Sequence, residues 1–176
     1  VHIFASKAFG SQKSKDKFES LIEHYLGNPK SPMRNDKVYL LFIKDIIASP
    51  CIDDVEKERW TFKYKQTNKN LPGNTAIDFK WKDEKGMGHQ LNEYKNQKVI
   101  LYFYDPDCEN CHKITAWLNK QTIPEDIQLL RIHADDKISD LYSLRAMPTI
   151  YLLDKNNKVI LKDCSPELLI SEINKK

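Results

Sequence analysis

Two of the four cysteines in this 176-residue sequence lie close enough together to act as a pair. Cys108 and Cys111 enclose Glu109-Asn110 and follow an apolar run that predicts a buried strand. Two cysteines one helical turn apart can form and break a disulfide reversibly. A helix that begins here would direct unpaired N–H groups and the positive end of its dipole at Cys108, stabilising its thiolate. The sequence therefore predicts a redox-active dithiol at the start of a helix.

The two thiols are predicted to have different tasks in dithiol exchange. Cys108 attacks a substrate disulfide, and Cys111, on the inward face of the helix, resolves the mixed disulfide. The acidic side chains of Asp105, Asp107 and Glu109 surround Cys108 and oppose the stabilisation of its thiolate by the helix. Because a less stable thiolate favours the disulfide form, this environment favours a reductant over an oxidant.

Other uses of a C-x-x-C pair fit the sequence less well. A zinc site needs further Cys or His ligands at similar spacing, and the neighbouring His112 and His133 do not form such a pair. A purely structural disulfide within one helical turn would constrain little chain entropy. We therefore expect neither a metal nor a bound cofactor. Cys51 and Cys164 are isolated in the sequence, and we expect them to be free thiols.

The dithiol lies in a region where predicted strands and helices alternate. This region follows a polar stretch, residues 66–73, that is rich in helix-breaking residues. The strands are predicted at 76–81, 99–104, 127–133, 149–153 and 159–161. The helices are predicted at 109–120, at 137–145 and after Ser165. This order predicts an α/β domain in which a mixed sheet is flanked by helices and its last two strands form a hairpin.

The residues before the polar stretch are predicted to be helical throughout. Apolar residues recur at helical spacing in three segments, which Ser14, Asn35 and Asp53 are expected to cap. We place the domain boundary in the polar stretch. Residues 1–70 are thus a small all-α region, and residues 71–176 are the α/β domain.

Composition excludes several classes of protein. The sequence has 28 basic and 25 acidic residues, a net charge of +3, and no concentrated basic block, so we expect no nucleic-acid partner. It contains no apolar run of about 18 residues, so attachment to a membrane would require a segment that this sequence lacks. His24 and His89 are expected to be solvated surface residues.

Residues 73–176 resemble the thioredoxin superfamily, in particular the TlpA/ResA-like thiol-disulfide oxidoreductases of bacterial cell envelopes. The resemblance rests on the opening segment 73–79, the lysine-rich loop 91–98 before the central strand, the C-x-x-C helix and the pair Met147-Pro148. In that family a cis-proline loop at the place of Met147-Pro148 packs beside the dithiol. The backbone of the residue at the place of Met147 pairs with an extended substrate segment, so we expect Met147 and Pro148 to bind substrate.

The resemblance implies a thioredoxin-like fold and an enzyme that reduces protein disulfides in the periplasm or cell envelope. Its partners would be protein disulfide or dithiol substrates and an upstream electron donor. Tyr102 and Ile114 stand where the family has acidic side chains, so neither familiar proton relay is present. This absence leaves open an alternative, a redox-inactive thioredoxin-fold module for binding or scaffolding. A peroxidase would need a lone activated cysteine supported by Thr and Arg, which the residues around Cys108 do not supply.

Overall fold

The computed structural model describes residues 8, 11–29 and 31–175. The chain divides into two compact units, with Lys69 the last residue of the first and Asn70 the first of the second. Side-chain hydrogen bonds attach Asn70 to the second unit. Its amide oxygen accepts from the N–H of Ile77 at 2.8 Å, and its amide nitrogen donates to the carbonyl oxygen of Leu141 at 3.1 Å.

The first unit is helical in the part that the structure describes. A π-helical turn, Glu23–Gly27, continues the α-helix that ends at Ile22. The α-helices are α1 (Gln12–Ile22), α2 (Asp36–Ile47) and α3 (Asp54–Asn68).

Side-chain caps set where these helices begin. Asn35 and Asp53 cap α2 and α3, as predicted. The predicted cap of α1 is wrong: the hydroxyl of Ser11, three residues earlier, accepts from the N–H of Ser14. Both serines have the chemistry of a cap, and the spacing of apolar residues does not distinguish between them.

A compact apolar cluster holds the three helices together. Gly27, at the end of the π-helical turn, lies so close to Tyr39 that a Cβ atom there would be 2.8 Å from the ring. A glycine is therefore needed for this packing. The buried residues of the cluster are Ile22, Tyr39, Ile43, Ile46 and Trp60.

The second unit is built on a four-stranded mixed sheet. Its strands are β3 (Lys98–Tyr104), β4 (Ile127–His133), β5 (Thr149–Leu153) and β6 (Val159–Leu161), and they lie in the order β4-β3-β5-β6. Strand β3 pairs parallel with β4 and antiparallel with β5, and β5 pairs antiparallel with β6. Helices cover both faces, and the predicted fold class is confirmed. These helices are α4 (Glu109–Leu118), α5 (Asp136–Tyr142) and α6 (Pro166–Ile173).

A two-stranded hairpin precedes this sheet. It consists of β1 (Lys80–Lys82) and β2 (Gly88–Gln90), followed by a 3₁₀ turn, Leu91–Tyr94. The strand predicted at 76–81 is therefore shorter and later than expected, and β2 was not predicted. Before β1, Thr75 forms an isolated antiparallel bridge with Lys158. The carboxylate of Asp78 accepts from the N–H of Asn92 at 3.0 Å.

Alternate residues of the central strand β3 face opposite sides of the sheet. Val99, Leu101 and Phe103 join a buried cluster with α5 and β1. Ile100 and Tyr102 join a second cluster with α4 and α6. Burial on both faces explains why β3 appears in the sequence as a continuous apolar run.

Among the described residues, no helix is both long enough and apolar enough to cross a membrane.

Candidate functional site

A tight turn connects the central strand to the helix that carries the dithiol. β3 ends at Tyr104, and the next residue, Asp105, organises the turn. Its carboxylate accepts from the N–H of Asp107 at 2.8 Å, and its carbonyl oxygen accepts from the N–H of Cys108 at 3.2 Å. Asp105 thus brings Cys108 to the first turn of α4.

Cys108 is the N-cap residue of α4. Its backbone is extended, with φ −90° and ψ 111°, and its Sγ atom accepts from the N–H of Cys111 at 3.2 Å. The sulfur thus occupies the place that a Ser or Asp oxygen takes in an ordinary cap. An N–H donor and the positive end of the helix dipole both favour negative charge on this sulfur.

The two thiols differ in exposure. Both are free, but Cys108 is half-buried whereas Cys111 is only 2% exposed. Burial raises the pKa of the Cys111 thiol to about 11, although a hydrogen bond from the backbone of Asp105 acts in the opposite direction. At neutral pH Cys111 is therefore a protonated, shielded thiol beside a more accessible one.

The loop before β5 lies beside the dithiol. The thiol of Cys108 donates to the carbonyl oxygen of Met147 at 3.7 Å. The peptide bond between Met147 and Pro148 is cis. The hydroxyl of Thr149, the first residue of β5, donates to the carbonyl oxygen of Ala146 at 2.7 Å. The structure thus brings the predicted site residues Cys108, Cys111 and Met147 together, with Pro148 adjacent.

Two of the three acidic side chains near Cys108 in the sequence, Asp107 and Glu109, are exposed to solvent. The side chain of Glu109 is 84% exposed and forms an ion pair with Lys113 at 2.7 Å. Asp107 is also exposed. Solvent and the lysine both screen these charges, which weakens their opposition to a thiolate on Cys108.

A buried hydroxyl beneath α4 was not found from the sequence. Tyr102 is fully buried, and its hydroxyl donates to the carbonyl oxygen of Cys111 at 2.9 Å. In the sequence, Tyr102 stands out as a departure from the acid of related proteins, and the hydrogen bond of its hydroxyl was not predicted. Its bond to α4 depends on how the helix packs on the sheet, which no local pattern encodes.

The other two cysteines are free thiols outside this arrangement. Cys164 lies before α6, and burial raises the pKa of its thiol to about 12. Cys51 lies in the first unit and is half-buried. In the described ranges, no group of three or more Cys, His, Asp or Glu side chains is placed to hold a metal ion.

A groove of about 690 Å³ lies along the β1–β2 hairpin, and its lining includes Trp81, His89 and His133 but not Cys108 or Cys111. The expectation that His89 is a solvated surface residue is wrong. Its ring stacks on Trp81, with centroids 5.4 Å apart, and shares a hydrogen bond of 3.1 Å with the hydroxyl of Tyr94.

The fold and the free dithiol together define a thioredoxin-like protein. The chain belongs to the AhpC/TSA family, whose model matches residues 72–160, just over half of the sequence. A second model, that of a domain of unknown function (DUF5106), matches residues 2–70.

Sequence relatives include the proteins named thiol-disulfide oxidoreductase ResA in Geobacillus thermodenitrificans and Geobacillus kaustophilus. Each is 24% identical over 115 residues, an alignment that covers 49% of this chain and 66% of the relative. The match thus spans slightly less than two thirds of the relatives' own length. The predicted resemblance to ResA-like proteins is confirmed.

Solved structures share the fold. A thioredoxin-like protein from Bacteroides caccae superposes with a TM-score of 0.88 at 24% identity, covering 98% of this chain and 74% of that one. The C-terminal domain of a Bacteroides fragilis protein superposes with a TM-score of 0.55 at 22% identity, covering 60% of this chain and 99% of that one. The prediction of a thioredoxin-like fold is confirmed.

Proposed function

We propose that this protein is a thiol-disulfide oxidoreductase that reduces protein disulfides through Cys108 and Cys111. The observation that carries the proposal is the placement of a free, half-buried Cys108 thiol at the N-cap of α4, one turn from a second free thiol. The N–H of Cys111 stabilises the Cys108 thiolate, which is the attacking species. The names of the ResA relatives support the same activity.

The reaction would proceed in two exchange steps. The Cys108 thiolate attacks one sulfur of the substrate disulfide, forming a mixed disulfide and releasing the other sulfur as a thiolate. Cys111 then loses its proton and attacks the Cys108 sulfur, which breaks the mixed disulfide and closes a Cys108–Cys111 disulfide. The protons lost by the two cysteines balance those gained by the two substrate thiolates. An upstream dithiol donor must then return two electrons to the protein.

The half-exposed sulfur and the Met147 loop suggest how a substrate is held. We propose that an extended segment of the substrate pairs with the backbone of Met147, beside Pro148, while its disulfide faces Cys108. The distance of 3.7 Å between the Cys108 sulfur and the Met147 carbonyl oxygen supports this placement. The family resemblance supports a location in the periplasm or cell envelope, where protein disulfides occur.

A test of this function is the reduction of insulin disulfides, with dithiothreitol as the electron donor. We expect wild-type protein to accelerate reduction and Cys108→Ser to abolish the acceleration. Cys111→Ser, reduced beforehand and mixed with insulin in the absence of dithiothreitol, should accumulate a mixed disulfide with the substrate, because the resolving thiol is missing. Cys51→Ser is the matched control and should retain wild-type activity. The proposal fails if wild type is inactive and Cys111→Ser traps no mixed disulfide.

The high pKa of Cys111 favours the second candidate, a redox-inactive binding module, because a protonated thiol resolves mixed disulfides slowly. A redox titration against glutathione separates the two candidates. A dithiol that changes state within the physiological range supports the oxidoreductase. A dithiol that stays in one state throughout supports the module.

A further inference from the structure

The buried side chain of Tyr102 connects the central strand to the dithiol helix. Its hydroxyl lies 2.9 Å from the carbonyl oxygen of Cys111 and 3.0 Å from the hydroxyl of Thr115. A carbonyl oxygen can only accept, so the single hydroxyl proton of Tyr102 goes to Cys111. The hydroxyl of Thr115 must then donate to Tyr102. The two hydroxyls form a short chain that ends on the backbone of Cys111.

The backbone of Cys111 forms hydrogen bonds with both the hydroxyl of Tyr102 and the sulfur of Cys108. Its carbonyl oxygen accepts from Tyr102, and its N–H donates to the Sγ atom of Cys108 at 3.2 Å. Rotation of the backbone at Cys111 would move its N–H relative to the Cys108 sulfur. The hydroxyl of Tyr102, anchored in a strand that is buried on both faces, opposes such a rotation.

We propose that Tyr102 is a positioning residue of the dithiol, whose hydroxyl holds the N–H of Cys111 in line with the Cys108 sulfur. The inference rests on the proposed function, since it assigns a role within that site. Tyr102 acts through Cys111 and need not touch the substrate.

The chemistry of the hydroxyl distinguishes positioning from proton transfer. Burial raises the pKa of Tyr102, and the nearby thiols raise it further, whereas Thr115 and Arg131 lower it. The hydroxyl therefore stays protonated at neutral pH, and it cannot remove the proton of Cys111. Tyr102 therefore acts on the dithiol by holding the backbone of Cys111 in place.

Tyr104 offers a matched control for this role. Its ring stacks parallel on that of Tyr102, with centroids 5.9 Å apart and an interplanar angle of 9°. Its hydroxyl donates to the carboxylate of Glu84 at 3.3 Å and so does not reach α4. Removing the hydroxyl from Tyr104 is therefore the same chemical change in the same stack, without the bond to Cys111.

The experiment compares Tyr102→Phe, Thr115→Val and Tyr104→Phe with wild type in the full chain. The first readout is the pH–rate profile of iodoacetamide labelling at Cys108 in the reduced protein, quantified by peptide mass spectrometry. The second is the redox equilibrium of the dithiol with glutathione. Labelling does not require disulfide exchange, so failure of the proposed function would leave the first readout intact.

Loss of one positioning hydrogen bond should slow Cys108 labelling at pH 7 roughly two- to fivefold in Tyr102→Phe and displace the profile to higher pH. Thr115→Val should show a smaller change in the same direction, and Tyr104→Phe should match wild type. The redox equilibrium of the dithiol in Tyr102→Phe should move towards the disulfide, because the Cys108 thiolate is less stabilised in this variant. The inference is overturned if Tyr102→Phe matches wild type in both readouts, or if Tyr104→Phe changes as much.

Discussion

The sulfur of Cys108 lies 3.7 Å from the carbonyl oxygen of Met147, although 39 positions separate the two residues. The register of the sheet accounts for this approach. Phe103, near the end of β3, pairs with Thr149, the first residue of β5. The strand that leads to the dithiol therefore ends where the strand that follows Met147 begins, and the site is fixed by the pairing of β3 with β5.

The acidity of Cys111 gives a prediction about labelling. Because burial raises the pKa of its thiol to about 11, we expect its reactivity to be low at pH 7 and to rise with pH up to that value. The thiolate fraction below the pKa increases about tenfold per pH unit, and the labelling rate should follow it. The measurement is iodoacetamide labelling of the Cys111 peptide in Cys108→Ser between pH 7 and pH 10. Because the Cys108 thiol also raises the pKa of Cys111, this variant isolates the contribution of burial.

Unfolded protein is the control for this measurement. In urea the thiol of Cys111 is solvated and takes an ordinary cysteine pKa of about 8.5, so its labelling rate should level off above that pH. A plateau at the same pH in folded Cys108→Ser would contradict the role of burial. Cys164, whose pKa burial raises to about 12, should remain slower than Cys111 throughout.

The sequence was sufficient to predict the dithiol helix and most of the sheet. The continuous apolar run of β3 requires burial on both faces, and Cys108 begins a helix because the chain turns at Asp105. These features are local or follow from composition. The partners of Tyr102 and His89 were not predictable, because they are contributed by segments that meet only after the sheet and hairpin have formed.

Close alternatives in the sequence explain the remaining differences. Ser11 and Ser14 are both suitable caps, and only the hydrogen bond from the N–H of Ser14 identifies Ser11 as the cap. The strand expected at 76–81 is not continuous, because the backbone of residues 73–76 bonds to residues 157–159 and the regular strand β1 begins only at Lys80. The carboxylate of Asp78 there accepts a backbone N–H bond from Asn92.

Phe103 gives a prediction about stability in the second unit. Its side chain is fully buried, and its ring lies 4.9 Å from that of Tyr142 and 6.0 Å from that of Tyr151. Phe103→Ala should lower the free energy of unfolding by about 3–5 kcal/mol, since it removes buried area and leaves a cavity. Hydrogen exchange of the β3 amides measures the loss.

The matched control is Met87→Ala in the β1–β2 turn, where the side chain is 60% exposed. We expect a change of no more than about 0.5 kcal/mol for this variant. A Phe103→Ala variant whose β3 amides are as protected as those of Met87→Ala would contradict the packing described for the sheet.

Lys15 gives a prediction about the stability of the first unit. Its side chain is fully buried. The ammonium group donates to the carboxylate of Glu56 at 2.6 Å and to the carbonyl oxygen of Cys51 at 3.1 Å. Lys15→Met removes a hydrogen-bond donor from both acceptors, although Glu56 keeps an ion pair with Arg59 at 4.0 Å. We therefore expect a loss of about 1–3 kcal/mol, measured by hydrogen exchange in α1 and α3. Replacing Glu56 by Met as well should recover only part of this loss, because the buried carboxylate of Glu19 also loses the charge of Lys15. Lys13→Met, an exposed site on the same helix, should change protection little. Equal protection in the Lys13 and Lys15 variants would show that the buried pair does not hold α1 against α3.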